Sequence, residues 1–433
     1  MDLIEKFKDT KAAEERIERS RKGNCTIEFE GAEGPIDVVE VNVRQTRHDF
    51  IFGCNAFGWG KMETRNTFRA DWSKQEASHN FNPLERIGGH GLDYGDGLHE
   101  DDVLYAARFR AIFNLAVLPL YEIATEPNEN SVNLHRAGRM ADWAKRNQLL
   151  VKGHPLCFNQ KKLLPQWLKD KTPEEYWQWL TQRIKQIFEH LGDKVDIWDY
   201  LNEIMNCPIQ GYSEPFEAAK ATYQLTREFA PNAVLTLNDA ECFNDKTDIY
   251  VDVLQRLEKE KLKPDLFGIQ SHFWKMDDDK RRKLVEALDK YEAVDIPIHF
   301  TETTFVAVPE KGLEQWEAEA NQARDVEEFY TYLFSRPQVQ GIIWWDLCDR
   351  HSFCNIGGLL RDDMSMKPAY HALDHLINQK WRTVEKLPVL NGTATFRGFY
   401  GEYEADIRLA NGTRYYETFY LEKNSSKPIK FII

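Results

Sequence analysis

Eight short apolar runs, separated by segments of helical spacing, constrain this chain more than any other feature. They are FIFGCN (50–55), AIFNLAVL (111–118), LLVKGHPL (149–156), VDIWDYLNE (195–203), AVLTLND (233–239), LFGIQSH (266–272), IHFTE (298–302) and GIIWWDL (341–347). Between them, SVNLHRAGRMADWAKRN, TPEEYWQWLTQRIKQIFEHLG with Thr172 as its cap, and GLEQWEAEANQARDVEEFYTYLFS read as helices. Eight strands in βα alternation predict an α/β fold, a (β/α)8 TIM barrel over residues 49–380. The alternative, an open doubly wound sheet, lacks its usual sign here, because no Gly-rich phosphate loop follows the first strand.

Both flanks carry other patterns. Residues 1–22 space Leu3, Ile4, Phe7 and Ile17 as one helix would. Residues 23–48 alternate around a Gly-rich turn, and residues 381–433 alternate around NGT and NSSKP turns. These strands are expected to combine into one small β-sandwich annex, with Phe396, Phe399, Tyr400 and Tyr403 forming its own core rather than a sugar platform. Residues 56–101, rich in Gly, His, Asp and aromatics, form an insertion after the first barrel strand. That position puts the insertion on the catalytic face, where it is expected to touch substrate.

A formal charge of −14 with both signs interspersed argues against nucleic-acid or anionic-membrane partners. No apolar run approaches the ~18 residues of a membrane span, and the first twenty residues lack a signal-peptide core. The chain as given therefore reads as cytoplasmic, although a secreted protein stripped of its signal would read the same. Its seven cysteines are scattered without metal-knuckle spacing, as reduced buried thiols would be. Oligomeric state is not legible.

In a barrel the chemistry sits at the carboxyl ends of the strands. Those ends carry His154, Asn202 and Glu203, Asn238 and Asp239, Gln270 and His272, Glu302, and Trp344 with Trp345. A lone strand-end carboxylate is commonly a helix cap or an ion-pair partner. Two of them three strands apart, among amides, imidazoles and tryptophans, suit glycosidic-bond cleavage: one protonates the leaving oxygen while the other attacks the anomeric carbon. Neighbours on a strand face opposite sides, so only one of Trp344 and Trp345 should reach the site. Nothing in the pattern requires a metal or organic cofactor.

The stretches GHPL (153–156), WDYLNE (198–203), LND (237–239), GIQSH (268–272), TE (301–302), WWDLCDRHSF (344–353) and LLRDDMSMKPAYHAL (359–373) occur in an order that resembles glycoside hydrolase family 10. The best-known members of that family are endo-β-1,4-xylanases of retaining mechanism. The resemblance implies that Glu203 is the acid/base and Glu302 the nucleophile. It also implies that Asn202 holds the 2-hydroxyl of the sugar being cleaved, that His272 orients the nucleophile, and that His154, Asn238, Gln270 and Trp345 serve substrate binding. The implied partner is a β-linked oligo- or polysaccharide, xylan or xylo-oligosaccharides first.

Departures from the family fall outside the catalytic pair. GHPLCFN has Phe158 and Asn159 where a histidine and a tryptophan are usual. In LAVLPLYEIATEP, Leu120 and Ile123 cannot supply the hydrogen bonds that grip the next sugar, and Tyr121 and Glu122 are polar groups of different reach. A late serine-tryptophan pair reads Ser352-Phe353. Two alternatives follow: a β-glycosidase of the same barrel clan acting on another sugar, and a non-catalytic carbohydrate-binding protein. The second is disfavoured because both glutamates are present.

Overall fold

The structure is a computed structural model that describes residues 2–32, 34, 36–61, 99–240, 242–350, 352–354, 356–423 and 427–433. Most of the expected substrate-contacting insertion, residues 62–98, lies outside the described residues.

After two annex strands, β1 (Lys22–Glu30) and β2 (Val38–His48), come the barrel strands: β3 (Ile51–Asn55), β4 (Leu115–Pro119), β5 (Leu150–His154), β6 (Ile197–Asn202), β7 (Val234–Asp239), β8 (Leu266–Phe273), β9 (Ile298–Phe305) and β10 (Val339–Trp344). They close in the order β10-β3-β4-β5-β6-β7-β8-β9, every pairing parallel. This is a (β/α)8 barrel. Each strand lies within a few residues of the run that predicts it. The helix Pro173–Leu191 shows why the outer layer forms where it does. Thr172 accepts from Glu175 N at 3.3 Å while Glu175 accepts from Thr172 N at 2.9 Å, and Pro173 occupies the first turn. Tyr176, Leu180, Ile184, Ile187 and Leu191 then bury one stripe against the barrel.

The amino-terminal helix is broken, contrary to the single helix its spacing suggests. Leu3–Lys8 and Thr10–Ser20 are separate helices because Asp9 leaves the helical region (ψ 88°) and its carboxylate caps the second helix, accepting from Ala12 N at 3.0 Å. Phe7 packs on Tyr332 at a 4.4 Å centroid distance. Arg21 donates to the carbonyls of Phe334, Arg336 and Val339, which fastens the helix pair to the barrel's outer layer.

The remaining strands are β11 (Val384–Leu387), β12 (Thr393–Phe399), β13 (Gly401–Leu409), β14 (Arg414–Leu421) and β15 (Ile429–Ile432). They form two small sheets with the amino-terminal pair, in the orders β12-β1-β15 and β11-β2-β13-β14. Alternate residues turn inward (Ile27, Phe29, Val41, Val43, Tyr403, Ala405, Ile407), so the two sheets share one apolar core. Phe396 and Tyr403 belong to that core, and half-buried Tyr400 packs on it. Phe399 does not: it joins the barrel's core, 6.1 Å from Phe334. All seven cysteines are buried, and none forms a disulfide among the described residues. Among the described residues, no helix is long and apolar enough to cross a membrane.

Candidate active site

The ends of β5, β6, β8 and β9 and the turn after β10 bring His154, Asn202, Glu203, Gln270, His272, Glu302 and Trp345 around one cavity of about 250 Å³. Asn238, expected to touch substrate, does not line it. Its amide sits behind the wall, fully buried, and ties the wall together. Asn238 Oδ1 accepts from Thr301 Oγ1. Nδ2 then donates to Asn202 Oδ1 at 2.7 Å and to Glu302 Oε1 at 3.1 Å. Gln270 repeats the motif one strand on, its Nε2 donating to Asn202 Oδ1 at 3.3 Å and Glu203 Oε1 at 3.1 Å. Two amides therefore join the two glutamates through Asn202, and charge-assisted bonds make such a net stiff.

The backbone aims Glu203. Where β6 ends, the residue takes φ 54°, a left-handed region that costs a non-glycine residue roughly 1 kcal/mol. Its N–H donates to Asn238 O at 3.0 Å, and its own carbonyl accepts from Cys207 N at 2.7 Å. The strand thereby turns at this residue and presents the carboxyl to the cavity. Burial raises the Glu203 pKa, the nearby Glu302 charge raises it further, and the Gln270 hydrogen bond offsets part of the rise. Glu203 is thus biased toward its protonated form.

Two histidines face Glu302. His272 lies 3.3 Å from Glu302 Oε2 through Nε2 and 3.0 Å from Thr304 Oγ1 through Nδ1. His154 is held more deeply: its Nδ1 is 2.7 Å from Asp199 Oδ2, and Lys152 Nζ is 2.8 Å from Asp199 Oδ1, all three side chains being buried. His154 Nε2 lies 3.1 Å from the Tyr121 hydroxyl and 3.7 Å from Glu302 Oε1.

Aromatic rings finish the wall. Trp345 approaches Phe57 and His154 edge-on, at centroid distances of 5.2 and 5.3 Å. It stands in the turn after β10, where Asp346 (φ 72°) accepts from Asn55 Nδ2 and from Phe353 N. Trp344 turns the other way and stacks near Phe305 in the barrel core, so one of the tandem tryptophans reaches the cavity. Tyr121, Phe158, Gln160, Leu163 and Phe353 also line it. Of these, Gln160 and Leu163 carry no local signal in the sequence. They arrive because the chain after β5 folds back and Ile123 N donates to Leu163 O at 3.2 Å.

Asp239, a strand-end carboxyl in the sequence, and Glu122, the polar group of different reach after the second strand, are not in the cavity wall. Glu122 points into the outer layer, where burial raises its pKa to about 7 despite the Arg183 charge. Asp239 is likewise buried and pushed to about 7 by burial first. Among the described residues, no group of three or more His, Cys, Asp or Glu is placed to hold a metal ion.

A family model, Glycosyl hydrolase family 10, matches residues 121–375, more than half of the sequence. The chain belongs to glycosyl hydrolase family 10. Among curated proteins, this family 10 chain is 24% identical over 417 residues to anti-sigma-I factor RsgI6 of Acetivibrio thermocellus, covering 95% of this chain and 48% of that protein. It therefore spans about half of that relative's length. It is also 24% identical over 280 residues to endo-1,4-beta-xylanase B of Thermotoga neapolitana, covering 59% of this chain and 77% of the relative. Xylanase 10B of Thermotoga petrophila RKU-1, solved in complex with xylobiose, has the same barrel: the TM-score is 0.58 at 20% identity, over 77% of this chain and 95% of that one.

Proposed function

We propose that the chain is a retaining glycoside hydrolase that cleaves β-1,4-xylosidic bonds of xylan or xylo-oligosaccharides by double displacement. The observation that carries this reading is the hydrogen-bonded net that joins Glu203, Asn202 and Glu302 in one aromatic-walled cavity. Glu302 is the nucleophile, and Glu203, biased toward the protonated form, delivers its proton to the leaving oxygen. When Glu302 becomes an ester its charge disappears. Part of what holds the Glu203 pKa up is then gone, and Glu203 can take a proton from the attacking water. Asn202 Oδ1 is occupied by Asn238 and Gln270, so Nδ2 is the end offered to a sugar hydroxyl. Trp345, Tyr121 and Phe158 supply apolar faces for the ring.

Hydrolysis of nitrophenyl β-xyloside and β-xylobioside, with NMR of the first product, tests this. A first-formed β-anomer is expected. A first-formed α-anomer overturns the retaining mechanism, and inert xylosides beside a glucoside or galactoside that turns over overturn the xylan reading.

One observation favours a second reading. The alignment to the anti-sigma factor runs across the annex as well as the barrel, as it would if the chain were a carbohydrate-binding unit within a regulatory protein. Saturable binding of xylo-oligosaccharides with no turnover would decide for it.

A further inference from the structure

Beside the cleft, the helix Pro173–Leu191 and the segments following β4 and β5 wall a second groove of about 570 Å³, more than twice the volume of the catalytic cavity. Two indoles, Trp167 and Trp179, form part of its wall, edge to face with centroids 5.9 Å apart. Both indole N–H groups are spent on one residue: Trp167 donates to the Glu126 carbonyl at 3.2 Å, and Trp179 to its carboxylate at 2.8 Å. The rings are thereby fixed, and apolar ring surface is what they present to the groove.

Along the same helix Gln178, Gln182 and Gln186 recur at every fourth position, so their amides stand in one row on the groove wall. Among the described residues none of the three amides has a hydrogen-bond partner. Arg183 lies buried next to this row. Its Nη1 donates to Thr125 Oγ1 at 2.8 Å and its Nη2 to the Leu120 carbonyl, whereas its buried Nε–H meets no acceptor among the described residues.

Fixed indole surface and a row of uncommitted amides together provide the stacking and hydrogen-bonding chemistry that a neutral sugar chain requires. We propose that this groove is a second carbohydrate site, taking a β-linked oligosaccharide segment of the polymer assigned above to the cleft, so the inference rests on that reading. One stretch of chain joins the two sites: Phe158 and Leu163 line the cleft, and Trp167 lines the groove. A long substrate held in the groove raises its own effective concentration at the cleft.

Calorimetric titration of the Glu302→Gln chain with xylohexaose tests the proposal, with two equivalents expected. Adding Gln178→Ala, Gln182→Ala and Gln186→Ala should reduce this to one. The same three changes in the active chain should leave nitrophenyl β-xyloside turnover unchanged and slow long xylan about fivefold or more. Trp179→Ala should weaken the second site in the same way. One equivalent unaltered by the triple change overturns the groove. A wild-type chain that leaves xylohexaose uncut breaks the cleft reading alone, since the stoichiometry still scores the groove.

Discussion

The annex and the cleft rim treat charge in opposite ways. In the annex, charged side chains stand outside the sheets in exposed pairs such as Arg44–Glu404 at 2.6 Å, and the space between the sheets is filled by Ile27, Val41, Ile407 and their neighbours. At the rim, Glu302 and Asn202 are buried, and Glu203 sits among amides and imidazoles on a left-handed backbone. The annex is arranged as stability dictates. The rim accepts desolvated carboxyls and strain, a pattern expected where chemistry takes precedence.

The contrast can be broken most sharply at Glu302. Glu302→Ala should lower turnover of every β-xyloside by roughly 10⁴-fold while the melting temperature holds or rises, because a buried carboxyl is gone. A melting temperature that falls as steeply as activity would make the residue structural. Next in size, Glu203→Ala should cost roughly 10³-fold on xylo-oligosaccharides and far less on dinitrophenyl xylosides, whose leaving groups need little protonation. Equal losses on both substrates would remove the acid role.

In the annex the expected loss is of stability. Ile407→Ala empties a fully buried position and should cost about 2–5 kcal/mol in urea unfolding, with aryl-xyloside kcat unchanged. A smaller effect concerns pH. Glu203 must be protonated to act, and its pKa is raised, so kcat/KM should fall as pH climbs through that raised value. Gln270→Ala removes a donor that favours the charged form, so the alkaline limb should move to higher pH; a shift toward acid would contradict the assigned contact. Smallest of all, Arg44→Ala should change stability by less than about 0.5 kcal/mol, since both partners of the pair are more than half exposed.

Much of this was legible in the residues. The eight strands are readable because each is a short apolar run between helical segments, and the rim residues because they occupy the ends of those runs. Packing decides what the sequence leaves open. Nothing local says that Asn238 turns away from the cavity to hold Asn202 and Glu302, or that the Tyr121 hydroxyl reaches His154 while the adjacent Glu122 points into the outer layer. Alternation along the tail assigns Phe399 to the annex, yet its ring lies where the annex meets the barrel and joins the larger core. The helix break at Asp9 was concealed because apolar spacing on both sides of it stays in phase.

The placement of β1 between β12 and β15 has a consequence for the order in which the molecule is completed. During synthesis, residues 22–30 leave the ribosome long before residues 393–432 exist. Both edges of that strand therefore stay open while the whole barrel is being made. The annex can close only as the last, most non-local step of folding, and a chain halted before residue 393 would carry an unpaired strand, a ready template for association with other chains.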